Sequence, residues 1–195
     1  MKPLTLADVR DIATYELERP TSRPRVIALK RHRRVGVGPV VSVVFENRDT
    51  VRFQVQEMMR AERIVGPERV QEELDIYNEL LPHQNELSAT LLIEVSDRSV
   101  LKQVLDSFIG VDRGGTTYLE VDREPVEGEY EGGRSNEVQV SAVHYVRFAL
   151  TPAQAQAVRS GAPVALRIDH GGYHHRTELG ADVREQLAAD LAPDA

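Results

Sequence analysis

The stretch PVALRIDHGGYHHRTEL, Pro163 to Leu179, decides how the chain is read. Two runs rich in strand formers flank Gly171-Gly172, a pair suited to a two-residue hairpin turn. With that pair at the tip, His170 faces Tyr173, Asp169 faces His174 and Ile168 faces His175. Alternation places Val164, Leu166, Ile168, His170, Tyr173, His175, Thr177 and Leu179 on one apolar face. Arg167, Asp169, His174, Arg176 and Glu178 take the other. The first face looks to the core and the second to water. Arg167 opposite Arg176 counts against this register, and the diagonals Arg167–Glu178 and Asp169–Arg176 offset it.

Outward from the hairpin, the order of elements emerges. GADVREQLAADL closes the chain as a helix, and Thr151-Pro152 starts a short helix that ends at Gly161. Val138 to Leu150 reads as one bent strand or a pair, and Glu124 to Asn136 as a polar, Gly-rich loop. TTYLEV and SATLLIEV read as strands on either side of a helix capped by Asp97 and ended by Gly110. Residues 88–170 thus run strand, helix, strand, strand, helix, strand, the order of a split βαβ, ferredoxin-like unit.

The first 85 residues are richer in helix. Thr5 and Asp8 open a helix that ends before Pro20, and Arg25 to Arg34 forms a second short one. Val40 to Phe45 is a buried strand. Residues 50–56 fit a strand through Val51, Phe53 and Val55, or a helix through Val51, Val55 and Met58. Helix is favoured from Gln54 on, because Gln, Glu, Met, Arg and Ala are good helix formers. Pro67 begins a further helix with Val70, Leu74, Tyr77 and Leu81 on one stripe, and Pro82 stops it. The expected fold class is α+β: one compact domain, 1–195, with a helix-rich part (1–85) packed on a mostly antiparallel sheet (86–195).

Composition excludes several chemistries. The chain has 195 residues, 41% apolar and 28% charged, enough for a real core, with no Cys and no Trp. A cysteine-free chain carries no disulfide, no thiolate nucleophile and no Cys-ligated iron–sulfur cluster. MKPLTLADVRDIATYELERP has no apolar h-region, and no apolar run approaches the roughly 18 residues of a membrane span. A cytoplasmic protein without a membrane segment is the expectation. No dinucleotide fingerprint, Walker loop, Gly-x-Ser-x-Gly or His-Glu-x-x-His is present. The acidic helices lack the Glu-x-x-His pairs of a di-iron bundle.

Two features carry candidate function. In SAVHYVRFAL, His144 falls on the side of Val146, Phe148 and Leu150 and points inward. If that strand neighbours the hairpin, His144, His170 and His175 converge near one sheet end, with Tyr173, Asp169 and His174 nearby. Three neutral imidazoles would suit a single transition metal (Fe, Zn or Mn) with an open position. Against this, a lone inward His is most often a satisfied core residue, and Asp169 with His174 is most simply a surface pair. The second feature is the basic run with Arg25, Lys30, Arg31, Arg33 and Arg34, a docking patch for an acidic partner. Formal charge is −7 overall, with 24 Lys plus Arg against 31 Asp plus Glu and 5% aromatics, so nucleic acid is a poor candidate partner.

RVIALKRHRRVGVGP, FENRDTVRFQVQEMMRAERI, QEELDIYNELLP, RSNEVQVSAVHYVRF and VALRIDHGGY together resemble a bacterial family known as a domain of unknown function, DUF3501. Members usually carry His-Pro-x-Tyr where this chain has His170-Gly171-Gly172-Tyr173. The resemblance implies no assigned activity and no catalytic residue. It implies a gene neighbourhood of rubrerythrin-like and iron–sulfur oxidoreductase genes, hence a link to redox or oxidative-stress metabolism. Two functions follow as expectations: a cytoplasmic accessory protein docking on a redox partner, or a small metal-binding protein or metal-dependent oxidoreductase using the His cluster.

Overall fold

The computed structural model describes residues 1–131 and 140–192. A 3-10 turn at Leu6–Asp8 is closed by the Asp8 carboxylate, which accepts from the Thr5 amide (2.8 Å) and hydroxyl (2.9 Å). Helix α1 follows as one element, Ile12–Arg31, capped by Asp11 on the Thr14 amide. The expected break at Pro20 is absent, and so is a separate helix over 25–34. Pro20 and Pro24 lie inside α1 on exposed positions. Four residues apart, both rings project from the solvent side, where water can satisfy the carbonyls whose N–H partners they remove.

Strands β1 (Arg34–Val37) and β2 (Val41–Phe45) form a hairpin. β1 was not expected, because Val35-Gly36-Val37-Gly38 carries too little β signal. Helix α2 (Arg48–Ala61) settles residues 50–56 as helical. Asn47 accepts from the Thr50 amide, Thr50 accepts from the Asn47 amide, and Val51, Val55 and Met59 are buried at four-residue intervals. Helix α3 (Pro67–Asn78) starts at Pro67 and buries Val70 and Leu74. These helices enclose a core with Leu4, Ile64, Leu80 and Leu81.

Then come β3 (Glu86–Ile93), α4 (Leu101–Ser107), β4 (Thr117–Val121), β5 (Glu124–Tyr130), β6 (Val143–Ala149), α5 (Pro152–Arg159), β7 (Val164–His170), β8 (Tyr173–Glu178) and α6 (Ala181–Asp190). One sheet of order β1-β2-β3-β6-β5-β4-β7-β8 results, with every pairing antiparallel. The sheet curls into a near-barrel whose edge strands meet where the Tyr173 hydroxyl of β8 donates to the Val37 carbonyl of β1 (2.5 Å). Inside lie Val43, Phe45, Leu91, Leu119, Val146, Phe148, Leu166 and Ile168.

The fold is α+β, but the ferredoxin-like order over 88–170 is not formed. The segment 124–130, expected as loop, is β5, and it inserts between β4 and β6. The part of that expected loop at 132–136 lies outside the described residues. Among the described residues no helix is long and apolar enough to cross a membrane.

Candidate functional site

The β7–β8 hairpin has the expected register: His170 pairs with Tyr173, Asp169 with His174 and Ile168 with His175. Arg167 does oppose Arg176. A third strand resolves the conflict, because the Glu120 carboxylate of β4 accepts from Arg167 Nε (2.9 Å) and Arg176 Nε (2.7 Å). Asp169 pairs with Arg167 and with His174 Nδ1 (3.0 Å). The polar face is therefore a linked ion-pair network at the surface.

The inward face builds a row of rings. His170 stacks near Phe108 with centroids 6.3 Å apart, Phe108 lies 4.9 Å from Tyr173, and Tyr173 lies 4.4 Å from His175. The Tyr173 hydroxyl also accepts from the amides of Val40 (3.3 Å) and Val41 (3.2 Å). Burial pushes its phenol pKa up, keeping it the donor that Val37 requires. Gly38 makes this approach feasible: its φ is +73°, and a Cβ there would stand 2.5 Å from both the Tyr173 hydroxyl and the His175 ring. The cluster closes the barrel seam.

His144 sits elsewhere. It is 1% exposed on β6, with Nε2 2.7 Å from the Ser141 carbonyl and Nδ1 3.9 Å from the Asp112 carboxylate. The Tyr130 ring meets it edge-on at 5.8 Å. In the sheet, β5 and β4 stand between β6 and β7, so His144 is not on a neighbour of the hairpin. A carbonyl only accepts, so Nε2 of His144 carries a proton toward Ser141, as Nε2 of His170 does toward Ile109 (3.0 Å). In the neutral ring the lone pair then lies on Nδ1. Among the described residues no group of three or more His, Asp or Glu is placed to hold a metal ion. The structure thus brings His170, His175 and Tyr173 together and leaves His144 apart.

The basic run divides in two. Arg33 is fully buried, which removes it from any docking patch. It lies on the inward side with Val35 and Val37, donates to the carbonyls of Phe45 (2.8 Å) and Glu46 (3.3 Å), and forms an ion pair with Asp190 of α6. Arg33 therefore ties the C-terminal helix to the first hairpin. Arg34 pairs with Glu94 and donates to the Ser42 hydroxyl (2.9 Å). Arg25, Lys30 and Arg31, with Arg23, form no ion pair with any described residue, and no Asp or Glu occurs between Arg19 and Phe45.

At the other end of α1, Tyr15 is the helix's one buried side chain. Its hydroxyl donates to Glu57 Oε1 (2.7 Å), and Arg19 holds both oxygens of the same carboxylate (2.7 and 3.0 Å). The Arg19 guanidinium, helped by the Tyr15 hydroxyl against burial, lowers the Glu57 pKa to about 2. Neither Arg33–Asp190 nor the Glu120 bridge was expected; both need a tertiary neighbour that spacing does not reveal.

These features define an α+β near-barrel of eight antiparallel strands, closed by a Tyr–backbone seam and flanked by a cationic helix. The chain matches the family described as "Protein of unknown function (DUF3501)" over residues 3–191, and it belongs to that family. It is similar to a solved structure from Burkholderia pseudomallei, described as a novel protein of unknown function. The two share 32% identity and a TM-score of 0.91, over 98% of this chain and 100% of that one. No curated protein matches.

Proposed function

We propose that this chain is a cytoplasmic accessory protein that docks an acidic partner protein through the outer face of α1. One observation carries the reading: a 20-residue helix buries a single side chain and presents an apolar stripe to solvent. Ala13, Leu17, Pro20, Pro24 and Ile27 alternate four and three residues apart, all exposed, with Leu17 84% accessible. That spacing is the seam of a helix packed against a neighbour. Arg23 flanks it on one side and Arg25 on the other. The complementary surface is an apolar strip edged by carboxylates. A redox protein is the partner class favoured by the gene neighbourhood that the family resemblance implies.

A pull-down from nuclease-treated lysate at low and high salt tests this, with Leu17→Glu/Ile27→Glu and Arg25→Glu/Arg31→Glu variants beside the native chain. These positions are exposed, so circular dichroism should be unchanged. A stoichiometric protein partner is expected at low salt, reduced at high salt and lost with either variant. No partner at either salt with an intact fold, equal capture by the variants, or capture of RNA in place of protein would overturn the proposal.

A further inference from the structure

Ile12, Tyr15, Arg19, Ser22, Val26 and Leu29 of α1 are buried or half-buried and turn toward the body of the protein. The apolar stripe of Ala13, Leu17, Pro20, Pro24 and Ile27 lies on the opposite side of the helix. Charge along the two edges of that stripe is ordered. One edge carries Glu16 and, two turns later, Arg23. The other carries Glu18 and, two turns later, Arg25. On each edge the acid comes first and the base follows, and all four residues are exposed. The two acids make long contacts, 3.7 Å from Glu16 to Arg60 and 3.6 Å from Glu18 to Arg10. Arg23 and Arg25 form no ion pair with any described residue.

A stripe edged in this way complements itself. A second copy of α1, turned end for end about a two-fold axis near Pro20, sets its Pro24 against Leu17 and its Ile27 against Ala13. Glu16 then meets the second copy's Arg23, and Glu18 meets the second copy's Arg25, each pair formed twice by symmetry. Parallel packing would set Glu16 against Glu16 and Arg23 against Arg23, so the order of charges selects the antiparallel pair. We infer that two copies of this chain associate through the outer faces of their α1 helices, antiparallel, and that this dimer covers the docking face until an acidic partner displaces it. The inference rests on the reading of that face as an interface, and it names the surface that occupies it first: an apolar strip edged by carboxylates, supplied by the same chain. Exposed ion pairs contribute little each, so the stripe supplies most of the affinity and the charges set the orientation. A seam the length of α1, about 30 Å, makes a small interface of the weak, reversible kind that a partner can displace.

Sedimentation equilibrium of the untagged full chain, from micromolar to millimolar concentration, tests this. The average mass should climb from that of one chain toward that of two. Leu17→Glu/Ile27→Glu should abolish the rise. Glu16→Arg/Glu18→Arg and Arg23→Glu/Arg25→Glu each turn the attractive pairs repulsive, and each should weaken self-association by about tenfold or more. An equimolar mixture of these two charge variants should dimerise again, because every pair across the seam is then attractive; this rescue also shows that both variants are folded. In the lysate pull-down, Glu16→Arg/Glu18→Arg keeps the bases that an acidic partner reads and should capture at least as much of it as the native chain. A native chain that stays monomeric at millimolar concentration, assemblies larger than two, dimers unchanged by the variants, or no rescue in the mixture would overturn the inference. Each of these results leaves the docking proposal standing, which fails separately if no lysate protein is captured.

Discussion

Tyr173→Phe is the sharpest probe of how the barrel closes. It removes one oxygen and leaves the ring between Phe108 and His175. That oxygen serves three backbone groups: the Val37 carbonyl at 2.5 Å and the amides of Val40 and Val41. Val37 and Val41 are buried, so their groups lose a partner that water does not readily replace, whereas Val40 is half-buried. A buried backbone group left unpaired costs about 1–3 kcal/mol, so with Val37 and Val41 each at the low end and Val40 partly hydrated the total is at least about 2 kcal/mol. For a chain of this size that is a fall in Tm of roughly 4–8 °C. Urea unfolding should show a lower midpoint with an unchanged slope. Gly38→Ala should cost more, since it strains a residue at φ +73° and drives a Cβ into the Tyr173 hydroxyl and the His175 ring. Because both changes break one contact, the double variant should be less destabilised than the sum of the two. A Tyr173→Phe protein within about 0.5 kcal/mol of the native one, the usual scatter of neutral substitutions, would refute the seam as a source of stability.

Arg33→Met should destabilise by about 3–5 kcal/mol, since it leaves Asp190 buried without its cation; adding Asp190→Leu should recover part of the loss in the same urea assay. Gly128→Ala puts a Cβ 2.6 Å from Val146 Cγ2 and 3.1 Å from the Thr117 carbonyl, so a cost of about 1–3 kcal/mol from overpacking is expected by thermal melt. The folded pKa of Glu57, about 2, lies below its ordinary value of 4.5. Its stabilisation is therefore full above about pH 4.5 and lost as pH falls toward 2. The stability gap between native protein and Glu57→Gln, at most about 3 kcal/mol, should close over that window. Chelation of untagged protein should leave Tm unchanged, because among the described residues no group of three or more His, Asp or Glu is placed to hold a metal ion. A drop of several degrees restored by iron or zinc would reinstate a metal.

The β7–β8 hairpin was legible because its turn is spelled Gly171-Gly172 and its alternation has a single sensible phase. The β4–β5 hairpin was not. Its two turn residues, Asp122 and Arg123, both adopt positive φ (50° and 73°) without a glycine to announce it. Pro125 and Gly128 then read as breakers. Gly128 is there because Val146, Phe148 and the Thr117 carbonyl leave no space for a side chain. The convergence of three imidazoles depended on β6 neighbouring the hairpin, and the sheet separates them by two strands, β5 and β4. Arg33 hid in a run of five basic residues. Its one signal is phase, since Arg33, immediately before β1, alternates with the inward Val35 and Val37, and an arginine at such a position needs a buried acid. Asp190, at the far end of the chain, supplies it.

The same reasoning gives α1 its meaning. A helix-interior proline costs of order 3 kcal/mol, and α1 contains two. Packing would ordinarily offset such a cost, yet one side chain of α1 is buried. The helix is anchored in its N-terminal half by Tyr15 and Arg19 on Glu57, and beyond its last turn by Arg33 on Asp190. Between these anchors, Pro20, Thr21, Arg23, Pro24 and Arg25 face solvent with no acidic residue among them. A surface helix that needed only to stay folded would carry alanine, glutamate and lysine there, with ion pairs four residues apart. This one instead places rigid apolar rings and guanidinium groups without an ion pair among the described residues on its outer side. Those groups gain most when a carboxylate-edged surface desolvates them, so the composition of α1 fits an interface more closely than a free helix.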